Sequence, residues 1–328
     1  MSSYQQDNSS HPDFEIDFVG PDDTAFFRTV HGFKLNTTNT RYMIPVDEDA
    51  VHRSYLHNIM VWFMFDEKSY LGPVAEVLRY KRVDGGQRHI LDLGTGGGQW
   101  AIKMADEFPR VEVTGVDIAP IQPKLVPLNC TFDICDLDGP DFMYPSNTYD
   151  IVHARSMHTG ISNYPRFLKE IGRILRPGGM VLLIEPELEP MADGRMASEI
   201  EGYSGLSGWF ALWNAYQHCL KQRGIDVSVP RNLEDLLEDT GEFENINIYL
   251  GSVPIGFWPR DELNQTIGEI SWLYYDSLLP SMLPILVESG YPESHAKVLI
   301  RSAQEDLYHP IVHTSTRLHI AWAIKKKS

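Results

Sequence analysis

Apolar positions recur at two different periods along this chain. From Val51 through Tyr55, Ile59 and Phe63 they return every fourth residue, and Asp47 stands where its carboxylate can cap a first turn. The spacing predicts a helix ending near Phe65 and a weaker one through Val74, Val77 and Leu78. After Asp84-Gly85-Gly86 short strands alternate with helices. Predicted strands are Ile90–Leu93, Val111–Val116, Thr131–Ile134, Asp150–Ala154 and Met180–Ile184, the last apolar throughout, as for a strand buried on both faces. Predicted helices are Gln99–Glu107 and Pro165–Leu175, the second stopped by Arg176-Pro177-Gly178-Gly179. Repeated units of this kind imply a parallel sheet with right-handed crossovers. A further crossover helix is expected at Leu233–Leu237, with strands at Ile246–Val253 and Arg317–Ile324. Two aromatic-rich helical stretches, at about 193–223 and 260–308, interrupt the order and are expected to cap the open end of the sheet. Residues 1–38 read as a flexible arm, its opening dozen mobile, with Phe26, Phe27 and Phe33 to dock its later part.

Composition narrows the partners. With 43% hydrophobic residues in 328, the chain has ample material for a core. Its net charge of −17 argues against nucleic acid, because binding a phosphate backbone needs clustered Lys and Arg. Cys130, Cys135 and Cys219 form no CxxC pair, which suits a reducing compartment. Ile59–Phe65, the longest apolar run, is far short of the roughly 20 residues that span a bilayer. The opening MSSYQQDNSSHPD shows no basic region followed by an apolar one, so no secretory leader is expected. A soluble, cytoplasmic protein without membrane contact is expected, and no clustered His/Asp/Glu set calls for a metal.

The sharpest signal is ILDLGTGGGQW, Ile90 to Trp100. A strand carrying Asp92 runs into a glycine turn that opens a helix, where positive φ is allowed and a ligand can approach the backbone. Dinucleotides and S-adenosylmethionine both use such turns. The dinucleotide fingerprint wants glycine where Gln99 stands, and Asp92 would repel a pyrophosphate but suit the ammonium of a methionine moiety. S-adenosyl-L-methionine is therefore favoured over a nicotinamide cofactor. Asp117 ends the second strand, where its carboxylate can accept both ribose hydroxyls. Asp136 could accept the adenine amino group, with the Leu137 backbone at the ring edge. Arg155, just past the fourth strand, could anchor a carboxylate, and Arg41 and Tyr42 could fold over the cofactor.

These runs, with RYMIPVDEDAVHR, GVDIAPIQP, YDIVHARSM and LRPGGMVLLIEPE, resemble class I S-adenosylmethionine-dependent methyltransferases, and more narrowly the fungal LaeA-like methyltransferases. The resemblance, over about 40–325, implies a Rossmann-like α/β fold: a seven-stranded, mostly parallel sheet whose last strand is antiparallel. It implies contacts to S-adenosylmethionine from Asp92, Gly94, Gly96, Asp117, Asp136 and Arg155. Tyr42, Thr95, Ile118 and Leu137 complete the expected cofactor set. The chain then divides into an arm (1–38), an N-terminal helical segment (39–88) and a methyltransferase domain with its cap insertions (89–328).

Methyl transfer needs an acceptor held in near-attack geometry and water kept out. A hydroxyl acceptor also needs a base: His158, on the loop after the fourth strand, is the first candidate and Glu185, ending the fifth, the second. His153, inside the strand, reads as a core residue or supporting partner. Trp209, Trp213, Tyr216, Trp272 and Tyr275 could line a flat acceptor pocket. The expected activity is methylation of a small-molecule acceptor, a hydroxyl of a fungal secondary metabolite, with nitrogen, sulfur and carbon acceptors open. The alternative is a regulator of secondary metabolism acting through protein partners, which would place the protein in the nucleus. A homodimer is left open.

Overall fold

The computed structural model describes residues 23–79, 85–139, 142–196, 199 and 205–327. The expected mobile dozen at the start and part of the first cap stretch, 197–198 and 200–204, lie outside the described residues, as does Asp84. The later part of the arm is a paired element. A 3-10 turn, Asp23–Phe26, leads into a hairpin of β1 (Phe27–Val30) and β2 (Phe33–Asn36), joined through His31 and Gly32, both at positive φ. Phe27 packs near Val46 and Ile121, and Phe33 against the cap, as their apolar character suggests.

α1 (Glu48–Met64) starts at Asp47, whose side chain accepts from the Ala50 N–H, and α2 (Val74–Arg79) is short. Then follow β3 (Arg88–Leu93), α3 (Gln99–Glu107), β4 (Val111–Asp117), β5 (Cys130–Ile134), β6 (Tyr149–Arg155), α4 (Tyr164–Ile174) and β7 (Leu175–Pro186). A small hairpin, β8 (Met191–Ala192) with β9 (Arg195–Met196), precedes α5 (Ser207–Gln222). After α6 (Leu233–Asp239) and β10 (Phe243–Pro254) come α7 (Glu262–Ser281), α8 (Leu283–Glu288), α9 (Glu293–Tyr308) and β11 (Thr314–Lys325).

The principal strands lie in the order β5-β4-β3-β6-β7-β11-β10, parallel through β7, with β11 antiparallel to both neighbours. The β8–β9 hairpin extends the sheet at the start of β11. Met180–Ile184 has no exposure on either face, which accounts for its uninterrupted apolar run. One face packs against α4 and α6 through Phe167, Ile171 and Leu237; the other packs against α1 and α3 through Met60, Val61, Trp100 and Met104. α5, α7, α8 and α9 form a separate cap core around Trp209, Leu212, Leu279, Leu286 and Ala303.

One expectation from periodicity is corrected. The buried face of α1 is Arg53, Leu56, His57, Met60 and Val61, whereas Tyr55 is 41% exposed. The stripe Val51-Tyr55-Ile59 instead borders an open groove of about 820 Å³ between α1 and α3. Counting apolar residues missed the inner face because two of its members are a guanidinium and an imidazole.

Strand order reverses between β3 and β6, so the connections leaving their carboxyl ends run in opposite directions and leave a crevice. The glycine turn after β3, the ends of β4 and β5, and the loop after β6 all meet there.

Candidate functional site

The turn after β3 holds Gly94, Gly96 and Gly98 at φ of 69°, 58° and 81°. A Cβ on Gly94 would fall 2.1 Å from the Met157 sulfur, and one on Gly96 2.6 Å from the Ser54 hydroxyl. The positive φ favours glycine at each position, and a side chain there would also force Met157 or Ser54 to shift. The Thr95 hydroxyl donates to Asp92 (2.6 Å), the Gly96 N–H to Asp117 (2.8 Å) and the Gly97 N–H to Ser54 (3.2 Å). Ser54 donates in turn to Gln99, so the residue that breaks the dinucleotide spacing ties α1 to the turn. Gln122 secures the other side by donating to the Gly96 carbonyl.

The turn forms one wall of a cleft of about 200 Å³. Of the expected cofactor set, Tyr42, Gly94, Thr95, Gly96, Asp117, Ile118, Asp136, Leu137 and Arg155 all line it. Asp92 does not. It is 2% exposed, and its oxygens are taken by Thr95 and by His153 Nδ1 at 2.6 Å, so it braces the turn from behind. The His153 ring stacks on the Trp100 indole with centroids 3.9 Å apart, and burial lowers its pKa. It is the core partner its position suggested.

Asp117 accepts from Gly96 N–H through Oδ2 and from its neighbour Ile118 N–H through Oδ1, both at 2.8 Å. Burial pushes its carboxyl up to about 6, against these N–H donors, with Asp92 adding a smaller upward push. Asp136 accepts from Asn39 Nδ2 (3.0 Å), and Arg41 pairs with Asp138 (2.7 Å). These contacts stitch the segment after β2 across the cleft and set Tyr42 on its wall. Two guanidiniums, one buried and one half-buried, face the same space. Arg155 donates to Asn58 (3.2 Å); Arg53, 5% exposed, donates to the Ser277 hydroxyl (3.3 Å) and the Pro45 carbonyl (3.4 Å).

A second cavity, about 120 Å³, adjoins the cleft and shares Tyr42, Ile44, His57, Ser156, Tyr274 and Leu278 with it. Trp213, Tyr216 and Tyr275 line it, as proposed for an acceptor pocket, together with Glu187 and Thr316. Trp209 and Trp272 do not. Trp209 is 1% exposed behind the wall, its ring 5.2 Å from that of Tyr275. Trp272 is carried by the turn of α7 toward α9, where its indole donates to the Leu307 carbonyl (3.2 Å). His57 sits on the partition, 5.4 Å from the Tyr274 ring; burial first, then Arg155 and His153, lower its pKa to about 3. Burial raises the hydroxyl pKa of Tyr42, Tyr216, Tyr274 and Tyr275. Burial pushes the Glu187 carboxyl up, but hydrogen bonds with His319 and Arg231 outweigh it and hold it below its ordinary value.

The two candidate bases lie off both walls. His158 and Glu185 have no exposure, and Nδ1 meets Oε2 at 2.7 Å. Glu185 also accepts from the Tyr164 hydroxyl (2.9 Å) and the Met157 N–H (3.1 Å). This network sits beneath the loop after β6, and neither His158 nor Glu185 lines the cleft or the cavity beside it. Arg53, His57, Glu187 and Tyr274 were not singled out from sequence. The repeat Arg53-Leu56-His57-Met60, three or four residues apart, is the signal that would have found the first two.

The site suits S-adenosylmethionine. Backbone at positive φ offers close approach, Asp117 offers lone pairs for two hydroxyls, and Arg53 and Arg155 could hold a carboxylate. Among the described residues, no group of three or more His, Cys, Asp or Glu could hold a metal, and no helix is long and apolar enough to cross a membrane.

Comparison with known proteins agrees. The chain is 28% identical over 306 residues to the protein-methionine methyltransferase laeA of Emericella nidulans, covering 91% of this chain and 75% of the relative. It is 27% identical over 305 residues to the secondary metabolism regulator laeA of Aspergillus fumisynnematus, with the same coverage. Among solved structures it is similar to Haemonchus contortus phosphoethanolamine N-methyltransferase 2 in complex with S-adenosylhomocysteine, at 17% identity and a TM-score of 0.45, spanning 88% of this chain and 59% of that one. The methyltransferase-domain family matches residues 64–247, more than half of the sequence. This chain therefore belongs to the methyltransferase-domain family and uses S-adenosylmethionine as its methyl donor.

Proposed function

We propose that this chain transfers the methyl group to a thioether sulfur, that of a methionine side chain on a protein partner. The acceptor would occupy the small aromatic cavity, and the donor the cleft beside it. The observation that carries this reading is the shared partition of Tyr42, His57 and Tyr274, on which donor and acceptor would meet. When bound, S-adenosylmethionine supplies a methyl carbon already activated by the adjoining sulfonium. Asp117 would hold the ribose, Asp136 and Leu137 the adenine, and Arg53 or Arg155 the carboxylate; the aromatic walls would exclude water and align the acceptor.

The lining supports sulfur over a hydroxyl. A hydroxyl must lose a proton, and an efficient base has a pKa near the working pH. His57 is held near 3, the four tyrosines are pushed up and stay protonated, and Glu187 is held low. A thioether has no proton to give up. A cavity near 120 Å³ has room for a short alkyl chain. The relative named as a protein-methionine methyltransferase supports the same acceptor, and a methylated protein partner would fit a regulatory role.

The test is to supply methyl-labelled donor with methionine peptides and with a panel of phenols and alcohols. Label is expected on sulfur, released as dimethyl sulfide on heating in base. Label on oxygen alone, or donor binding without transfer to any thioether, would overturn the proposal.

A further inference from the structure

Glu187 is an unusual residue for the wall of an aromatic cavity. Only 5% of it is exposed, yet it lines the space beside Trp213, Tyr216, Tyr274 and Tyr275. Its Oε2 takes Arg231 Nε at 2.6 Å and lies 3.3 Å from His319 Nε2. Arg231 is divided, because its second nitrogen pairs with Glu189. Two carboxylates therefore share one guanidinium, with His319 as the second group against Glu187. Oε1 accepts from no described side chain, while the residue's own carbonyl is occupied by the Thr316 hydroxyl. A buried carboxylate with a spare oxygen, sharing a cavity wall with four aromatic side chains, is chemistry suited to an alkyl cation: ring quadrupoles and the carboxylate attract the same charge.

We infer that this cavity is a cage for a small onium group, with Glu187 as its counter-charge. The inference rests on the reading that the cavity takes the acceptor, and it names the charge state the site favours there. In transfer to a thioether, the acceptor lone pair forms the new carbon–sulfur bond and the pair of the broken bond stays on the donor sulfur. The positive charge passes to the acceptor and no proton is released. Glu187 meets that charge on arrival. It acts on the product side of the step, where a stabilising contact lowers the barrier only as far as the charge has already moved.

Two sources offer this chemistry, a sulfonium made in the cavity and a methylated ammonium brought to it. The test uses the full chain with trimethylsulfonium, tetramethylammonium and, as a neutral analogue of similar shape, tert-butanol, read by saturation-transfer NMR on the methyl protons. Both cations are expected to bind at least tenfold more tightly than tert-butanol. Glu187→Gln should remove about tenfold of that preference, the scale of one charge-assisted contact, and Glu187→Asp should restore part of it. S-adenosylhomocysteine affinity, measured by calorimetry on every variant, should stay within threefold; its loss in Glu187→Gln alone would leave Glu187→Asp to decide. Equal binding of cations and tert-butanol, or cation binding indifferent to Glu187, overturns the cage. Failure of the unmodified chain to bind S-adenosylhomocysteine instead overturns the donor site, so the two failures are distinct. Turnover of a methionine peptide against a dimethyl-lysine peptide then separates the sources, and turnover of a methionine peptide undiminished in Glu187→Gln would place the charge elsewhere.

Discussion

Asp117 should make donor binding depend on pH in a direction and size that can be stated beforehand. Its carboxyl titrates near 6 because burial disfavours the charge more than the Gly96 and Ile118 N–H groups favour it. A ribose diol donates two hydrogen bonds and so binds the ionised form. At pH 5 about a tenth of the molecules carry that form, and at pH 8 nearly all do. S-adenosylhomocysteine should therefore bind about tenfold more weakly at pH 5 than at pH 8, taking up the ionised form and releasing a proton near pH 6. The ligand-free fold should respond oppositely. A folded pKa above the unfolded value of 3.8 means the protonated form is favoured by folding. Its contribution is complete below about pH 4 and lost as pH rises through 6, at most about 3 kcal/mol on the scale of 1.4 kcal/mol per tenfold. Calorimetry in buffers of different ionisation enthalpy reads both affinity and proton release. Asp117→Ala should abolish the pH dependence and weaken binding at pH 8 by a hundredfold or more, since two hydrogen bonds to a charged group are worth roughly 3 kcal/mol together. Affinity flat from pH 5 to 8, or a persistent dependence in Asp117→Ala, would refute the assignment.

Gly94→Ala should weaken donor binding and lower the melting temperature, because φ 69° strains any side chain and its Cβ would force Met157 to shift; normal affinity in calorimetry would mean the turn tolerates a side chain. His158→Ala should cost about 2–4 kcal/mol in denaturant unfolding, because it strips one donor from the buried Glu185 carboxylate. Its kcat should change less than its KM, and a stable variant with kcat down a hundredfold would return His158 to the chemistry.

The strand–helix alternation, the glycine turn and most residues lining the cleft were legible in the sequence because they are local. Gly94, Asp117 and Asp136 each sit within a few residues of a strand end, and parallel units stack those ends on one edge. The cavity proposed for the acceptor was legible only in part. Trp213, Tyr216 and Tyr275 reach it, but Trp272 is turned away by the phase of α7, which a count of aromatics does not reveal. His158 was misleading for a related reason. Its place in the chain, after β6, is that of a pocket residue, yet Glu185 and Tyr164 draw its ring under the loop. Asp92 likewise turned from a ligand partner into a brace, because the nearest hydroxyl and imidazole already filled its oxygens. Glu187 required distant segments to converge, since Arg231 and His319 both reach it, and no periodicity in one element can report that.

The common partition has a bearing on redesign. Since Tyr42, His57 and Tyr274 belong to both chambers, trimming any one of them to admit a bulkier donor analogue also enlarges the room for the acceptor. Selectivity for the two reactants cannot be tuned separately at those positions. Variants meant to accept a new transferable group should begin instead at Trp213 or Ile121, each of which borders one of the two spaces and not the other.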